Sequence, residues 1–149
     1  MPTLRMSQTH GLRVLEAAQL LVDAVLEVVG TFPPPDPAGL RRQLSESANS
    51  VAANIAEAFG RGCGHDKLYR LRIGRGSLEE TQSHIKVSWK AGYLSKKDFY
   101  RIWNLTLVVG SMLTSLIDRE ERNSARPWAP ASGADDPTLW CAVAGNESP

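Results

Sequence analysis

The distribution of proline is the feature of this sequence that most limits its possible folds. All nine prolines lie at Pro2, between Pro33 and Pro37, or from Pro127 onward. No proline interrupts Ala38 to Arg126, so helices can run there without the lost hydrogen bond and the ring clash that proline causes. Because apolar residues recur in that stretch every three or four positions, the pattern predicts helices rather than strands.

Four amphipathic segments follow one another along the chain. The first carries Leu15, Ala18, Val22, Val25 and Val29 and ends at Gly30. The second is expected from about Pro37 to Phe59 with Asp36 as its N-cap, the third from about Asp66 to Gly92, and the fourth from Ser95 to about Arg119. A lone amphipathic helix cannot bury its apolar stripe, and the connections are short. The sequence therefore predicts an all-α, up-down antiparallel four-helix bundle.

The chain divides into a bundle over residues 1–122 and a tail over residues 123–149. Proline, alanine and serine without periodicity predict that this tail is flexible. Two tryptophans, Trp128 and Trp140, lie in the tail. Either they are there by chance, or they form a docking segment, because tryptophan often anchors interfaces.

Glycines inside the third segment indicate close helix packing. Gly74 and Gly76 precede Ser77 in the middle of the predicted helix. A glycine there costs about 1 kcal/mol relative to alanine. We expect another helix to approach closely enough to compensate for that cost.

The sequence lacks the motifs of common catalytic and metal sites. A di-iron bundle needs Glu-x-x-His, but Ser7, Gly62 and Thr81 stand three residues before the three histidines. The glycine-rich turn has no lysine and hydroxyl residue of a phosphate-binding loop. Cys63 and Cys141 fit two ordinary thiols. We expect no enzyme activity, no metal and no cofactor.

Acidic residues interrupt the apolar stretches of the first helix, so no membrane span is expected. The N-terminus lacks the apolar core and small-residue cleavage site of a secretion signal. The sequence predicts a cytoplasmic protein.

Three sequence blocks carry a family resemblance. They read SVAANIAEAFGRG over residues 50–62, LRIGRGSLEETQ over residues 71–82, and AGYL over residues 91–94. In this order and spacing they resemble the four helix bundle protein family, over roughly residues 12–117. Some members are encoded in intervening sequences of large-subunit ribosomal RNA genes, and relatives act as accessory proteins of diversity-generating retroelements. The resemblance implies a bundle that assembles as a homo-oligomer, most often a barrel-like pentamer.

The resemblance also singles out a set of polar positions. Those that match the family blocks are Asn54, Glu57, Arg61, Arg72, Ser77 and Glu80. Ala58 stands where a glycine is usual, and Arg75 where a leucine is usual, which would place a charge near the interior or at a subunit seam. We interpret Asn54, Glu57, Arg61, Arg72 and Glu80 as a structural polar network in which Glu57 pairs with Arg72 or Arg61. The alternative is that these residues line a ligand pocket.

The distribution of charge points to a polyanionic partner. Residues 61–101 hold ten basic and four acidic residues, a net charge of +6, whereas the whole chain carries only +1. Clustered lysine and arginine bind phosphate backbones. The candidate nucleic-acid contacts are Lys67, Arg70, Arg75, Lys86, Lys90, Lys96, Lys97 and Arg101. No aromatic ladder interleaves these basic residues, and Tyr69 and Tyr93 alone are too few, so a single-strand stacking platform is not expected.

The sequence thus favours non-specific binding of structured RNA or DNA by the third and fourth helices, and the resemblance suggests a role as an accessory to a reverse transcriptase. Two other interpretations stay open. The basic residues could form an ordinary solvated face, or the protein could be an interaction scaffold that docks a partner through its ring or its tryptophan-containing tail.

Overall fold

The fold is a closed arrangement of four long helices. The computed structural model describes residues 6–61 and 64–125, with side chains from residue 12 onward. The helices are α1 (Met6–Val29), α2 (Leu40–Gly60), α3 (His65–Lys90) and α4 (Lys96–Ser124). α1 packs against α2 and α4, and α3 packs against the same two helices. In the described part of the chain there is no strand, and the predicted up-down four-helix bundle is confirmed.

Aliphatic side chains from all four helices fill the core. The largest fully buried ones include Leu21, Leu44, Ile55, Leu71, Ile85, Ile102 and Leu113. Burying each such side chain stabilises the fold by about 1.5–3 kcal/mol. On α1 the buried face is rotated slightly from the predicted stripe, because Leu15 and Val22 are only half-buried while Val14 and Leu21 point inward.

The start of α2 differs from the sequence prediction. The helix begins at Leu40, three residues after Pro37, because Gly39 adopts a left-handed conformation (φ 66°) at the N-cap position. Asp36 still satisfies a free helix donor, since its carboxylate accepts the Arg41 backbone N–H at 2.8 Å. Asp36 therefore caps the helix from outside it rather than as its N-cap residue.

The turn between α3 and α4 follows the prediction. Gly92 has a φ of 77°, and the Tyr93 N–H donates to the Ser88 carbonyl at 3.0 Å, which is the Schellman ending of a helix. Ser95 is the N-cap of α4, because its hydroxyl oxygen accepts the Asp98 N–H at 3.0 Å. This short turn places the end of α3 beside the start of α4.

The expected close approach of a neighbouring helix occurs at one of the two mid-helix glycines. A Cβ added to Gly74 would lie 3.5 Å from the Asn54 Cβ and 3.7 Å from the Val51 carbonyl oxygen, both on α2. A Cβ at Gly76 would meet nothing within 4 Å, because that residue faces outward. Of these two glycines, only Gly74 lies against a neighbouring helix.

α4 continues to Ser124, five residues beyond its predicted end near Arg119, and so includes the first two residues assigned to the tail. Trp128, Trp140 and the rest of the predicted tail from residue 126 onward fall outside the described residues. Among the described helices, none is long and apolar enough to cross a membrane.

Candidate nucleic-acid interface

Four lysines lie where α3 ends and α4 begins. Lys86 and Lys90 lie one helical turn apart on the exposed face of α3, and Lys96 and Lys97 open α4. All four are exposed, and within residues 6–61 and 64–125 none of them forms an ion pair. We call Lys86, Lys90, Lys96 and Lys97 the cationic junction.

Aromatic side chains lie beside these lysines, and none of them is among the predicted nucleic-acid contacts. The Lys86 ammonium lies 5.0 Å from the centre of the Trp103 ring, and Trp103 stacks on Phe99 at 5.7 Å. Trp89 and Tyr100 also contact the Phe99 ring, at 5.0 and 5.4 Å. The four-residue spacing of Phe99 and Trp103 on one helix was the sequence signal that could have revealed this cluster.

The remaining predicted nucleic-acid contacts lie elsewhere. Lys67 is buried and donates to Glu120 at 2.8 Å, so it is not a surface cation. Arg70 is half-buried and lies 3.2 Å from Glu57. Arg75 is exposed on α3, not in the interior, and lies eleven residues before Lys86, about 16 Å along the helix from the nearest lysine of the junction. Its charge is therefore outside the core of the bundle, and its place at a subunit seam stays a prediction.

Arg101 borders the junction but is neutralised. It donates to Glu27 and so links α4 to the end of α1. This hydrogen bond first, and the charge of Arg101 second, lower the pKa of Glu27 below its ordinary value of 4.5. Both side chains are solvent-exposed, so we treat the pair as a local tether rather than a main source of stability.

The predicted polar network divides into separate groups. Glu57 accepts hydrogen bonds from Arg61 at 2.7 Å, whereas Arg72 pairs with Glu121 on α4 at 2.7 Å. The Glu57–Arg61 alternative is therefore the one the structure adopts, and Glu57–Arg72 is not formed. Glu80 is exposed and lies 3.5 Å from His84.

A small buried polar group joins α2 to α3 beside Gly74. The Asn54 amide donates to the Ser50 carbonyl at 2.8 Å, and the hydroxyls of Ser50 and Ser77 lie 2.8 Å apart. Because these partners belong to the protein itself, Asn54 is satisfied without a ligand. This arrangement favours the structural interpretation of Asn54 over the ligand-pocket alternative.

The Glu27–Arg101 pair gives a pH-dependent prediction. A carboxylate with a lowered folded-state pKa contributes stability above its unfolded pKa, and that contribution is lost as the pH falls through the folded pKa. We expect the NMR titration midpoint of the Glu27 carboxyl to rise in Arg101→Gln. Lys97→Gln is the matched control, because Lys97 is the smallest of the causes that lower this pKa. Equal midpoints in the wild type and Arg101→Gln would show that the tether is absent in solution.

Two features of the described residues bear on metal binding and catalysis. They contain no group of three or more histidine, cysteine, aspartate or glutamate side chains that could hold a metal ion. A groove of about 400 Å³ between α1 and α4 is lined by Arg13, Ser111, Met112, Ser115, Leu116, Arg119 and Arg122. Within this lining there is no carboxylate or imidazole to act as a general base.

Fold and surface together define a helical-bundle protein with a basic, aromatic-bearing helix junction. The sequence matches the family described as 23S rRNA-intervening sequence protein over residues 10–115. The chain belongs to this family, as the resemblance predicted.

One solved structure similar to this fold is a protein of unknown function from the S23 ribosomal protein family of Bacteroides thetaiotaomicron. It shares 18% identity, covers 73% of this chain and 98% of its own, and has a TM-score of 0.66. At this identity the likeness supports the fold alone. No curated protein matches the chain.

Proposed function

We propose that this protein is a non-catalytic nucleic-acid-binding protein that holds structured RNA or DNA without sequence specificity through the cationic junction. The observation that carries the proposal is the gathering of Lys86, Lys90, Lys96 and Lys97, exposed and without a carboxylate partner in the described part of the chain. Cations that are already paired release less free energy on meeting a phosphate, because the existing pair must first be broken.

The opposite end of the bundle provides the contrast. There Arg61, Lys67, Arg70 and Arg72 each pair with a glutamate. Residues 61–101 carry a net charge of +6, but their cations are not all equally able to bind a phosphate. Within the described part of this segment, Arg75 is also exposed and outside any ion pair, but the four lysines that lie close together are those at the α3–α4 turn, and this is the surface that we expect to face phosphates.

The description of the family refers to 23S ribosomal RNA, and for this reason we propose RNA as the first ligand to test. A cytoplasmic location fits that ligand. Assembly as a homo-oligomer would repeat the junction on every copy, and several weak contacts would then together give tight binding. The pentamer, the reverse-transcriptase partner and the interaction scaffold stay predictions from the sequence and its resemblance.

A triple substitution tests the junction. Lys90→Gln, Lys96→Gln and Lys97→Gln together should weaken binding to a fluorescent RNA hairpin and reduce the slope of log affinity against log salt concentration by about 3, one for each lost phosphate contact. Fluorescence anisotropy at several salt concentrations measures both quantities, and sedimentation of the free protein gives the number of copies in one assembly.

The matched control changes the net charge equally but away from the junction. Gln19→Glu, Asn49→Glu and Thr114→Glu lie at exposed positions in the middle of their helices. This variant should keep nearly the wild-type salt slope. If both triple variants lose the same affinity, net charge rather than the junction governs binding, and absence of wild-type binding at low salt would refute the proposed function.

A further inference from the structure

The aromatic residues of the junction form a column with one open end. Trp103 receives the Lys86 ammonium and stacks on Phe99 with only 9° between the ring planes. Phe99 in turn contacts Trp89, which is tilted by 42°. Trp89 is the last ring of this column, and it is 39% exposed.

Tyr100 extends the same surface. Its ring meets the edge of Phe99 at 82° and is 52% exposed. Trp89 and Tyr100 are thus two partly exposed aromatic side chains that contact the same ring, Phe99. Trp89 directly precedes Lys90, and Tyr100 lies three residues after Lys97.

Core packing does not account for the position of Trp89. Leu71, Leu78 and Ile85 follow one another every seven residues on α3 and are buried, and Trp89 comes four residues after Ile85. In the structure Ser88 takes the inward position at the last turn of α3, and Trp89 faces outward toward the start of α4. Part of its indole ring is therefore open to solvent.

We infer that the junction binds unpaired nucleotides, with bases stacking on Trp89 and Tyr100 while the neighbouring lysines neutralise the flanking phosphates. This inference rests on the proposed function and adds the class of ligand. In a duplex both faces of a base are covered by its neighbours, so a duplex base has no free face that could stack on an exposed aromatic ring. An unpaired base can stack on them, and such stacking is tolerant of sequence.

This assignment replaces the sequence-based expectation that no stacking platform exists. That expectation considered Tyr69 and Tyr93 only. Tyr69 is exposed but lies twenty residues before Trp89, about 30 Å away along α3. The proposed stacking residues, Trp89 and Tyr100, belong to α3 and α4, and the turn between these helices brings them together.

The test uses a fluorescent oligodeoxythymidylate of about 12 nucleotides, a length within the range that single-strand sites occupy, and an abasic strand of equal length. Trp89→Leu and Tyr100→Leu should each weaken binding of the oligodeoxythymidylate by about 5- to 100-fold, the loss expected for one stacked base. Neither should change binding of the abasic strand or the salt slope, because both depend on phosphate contacts.

Two variants control for structural damage. Tyr69→Leu removes an exposed tyrosine distant from the junction and should leave both affinities unchanged. Trp89→Phe keeps an aromatic face and should recover most of the affinity that Trp89→Leu loses. Thermal unfolding of each variant verifies that the bundle is intact.

The outcomes separate this inference from the proposed function. Equal affinity of the wild type for the abasic strand and the oligodeoxythymidylate, or an equal loss on both strands in Trp89→Leu, would overturn base stacking and leave phosphate binding standing. Failure of the wild type to bind the RNA hairpin and both strands at low salt would remove the proposed function as well.

Discussion

Glu120→Gln should lower the free energy of unfolding by about 3 kcal/mol, the lower end of the cost of breaking a buried ion pair. The Glu120 carboxylate lies 2.8 Å from the Lys67 ammonium, and each side chain is only 11% exposed. After the substitution the Lys67 ammonium remains charged in a site that is largely closed to water. The Phe59 ring, with its centre 5.1 Å from this ammonium, remains as a cation–π partner. Urea unfolding at neutral pH measures the loss.

The pair itself need not add much stability, and a double substitution shows this. Lys67→Met with Glu120→Leu removes both charges and should recover most of the stability lost in Glu120→Gln. Glu121→Gln is the surface control, because the Arg72–Glu121 pair has the same type of contact at 2.7 Å but is about half exposed. It should cost less than about 1 kcal/mol. Similar losses in Glu120→Gln and Glu121→Gln would contradict the burial of Lys67.

Gly74→Leu should destabilise the bundle by about 1–3 kcal/mol, whereas the same substitution two residues later should not. At Gly74 a Cβ already reaches contact distance from Asn54 and Ile55, so the further atoms of leucine must displace α2. That displacement would also disturb the hydrogen bond between Ser50 and Ser77. Thermal unfolding followed by circular dichroism gives the difference.

Gly76→Leu provides the internal comparison. Its Cβ meets nothing within 4 Å, so only helix propensity changes, and stability should rise by up to about 1 kcal/mol. Gly74→Ala should have a small effect, since a single Cβ makes ordinary contact there. Destabilisation of both leucine variants to the same extent would show that close packing at Gly74 is not the cause.

Helices with local signals were predictable from the sequence. Ser95 marks the start of α4, and Gly92 marks the end of α3. Both could be predicted because N-cap hydrogen bonds and left-handed glycine endings involve residues close in sequence. Asp36 shows where this local reasoning fails. Its carboxylate does satisfy a helix donor, but the left-handed Gly39 delays the helix start to Leu40.

The candidate site was only partly predictable. Four of the eight predicted basic contacts lie together at the junction, namely Lys86, Lys90, Lys96 and Lys97. Lys67 and Arg70 have the same residue types but different surroundings, since glutamates from α4 and α2 neutralise them. Glu120 lies 53 residues after Lys67, and no local pattern links the two.

By itself the sequence determined the helical class, the family and the excess of positive charge between residues 61 and 101, because periodicity, motif spacing and charge are properties of neighbouring residues. Only the tertiary structure decided which of those charges remain free and that Trp89 and Tyr100 stand beside them. Ion pairing and solvent exposure depend on side chains that distant parts of the chain bring together, and helix packing alone sets those distances.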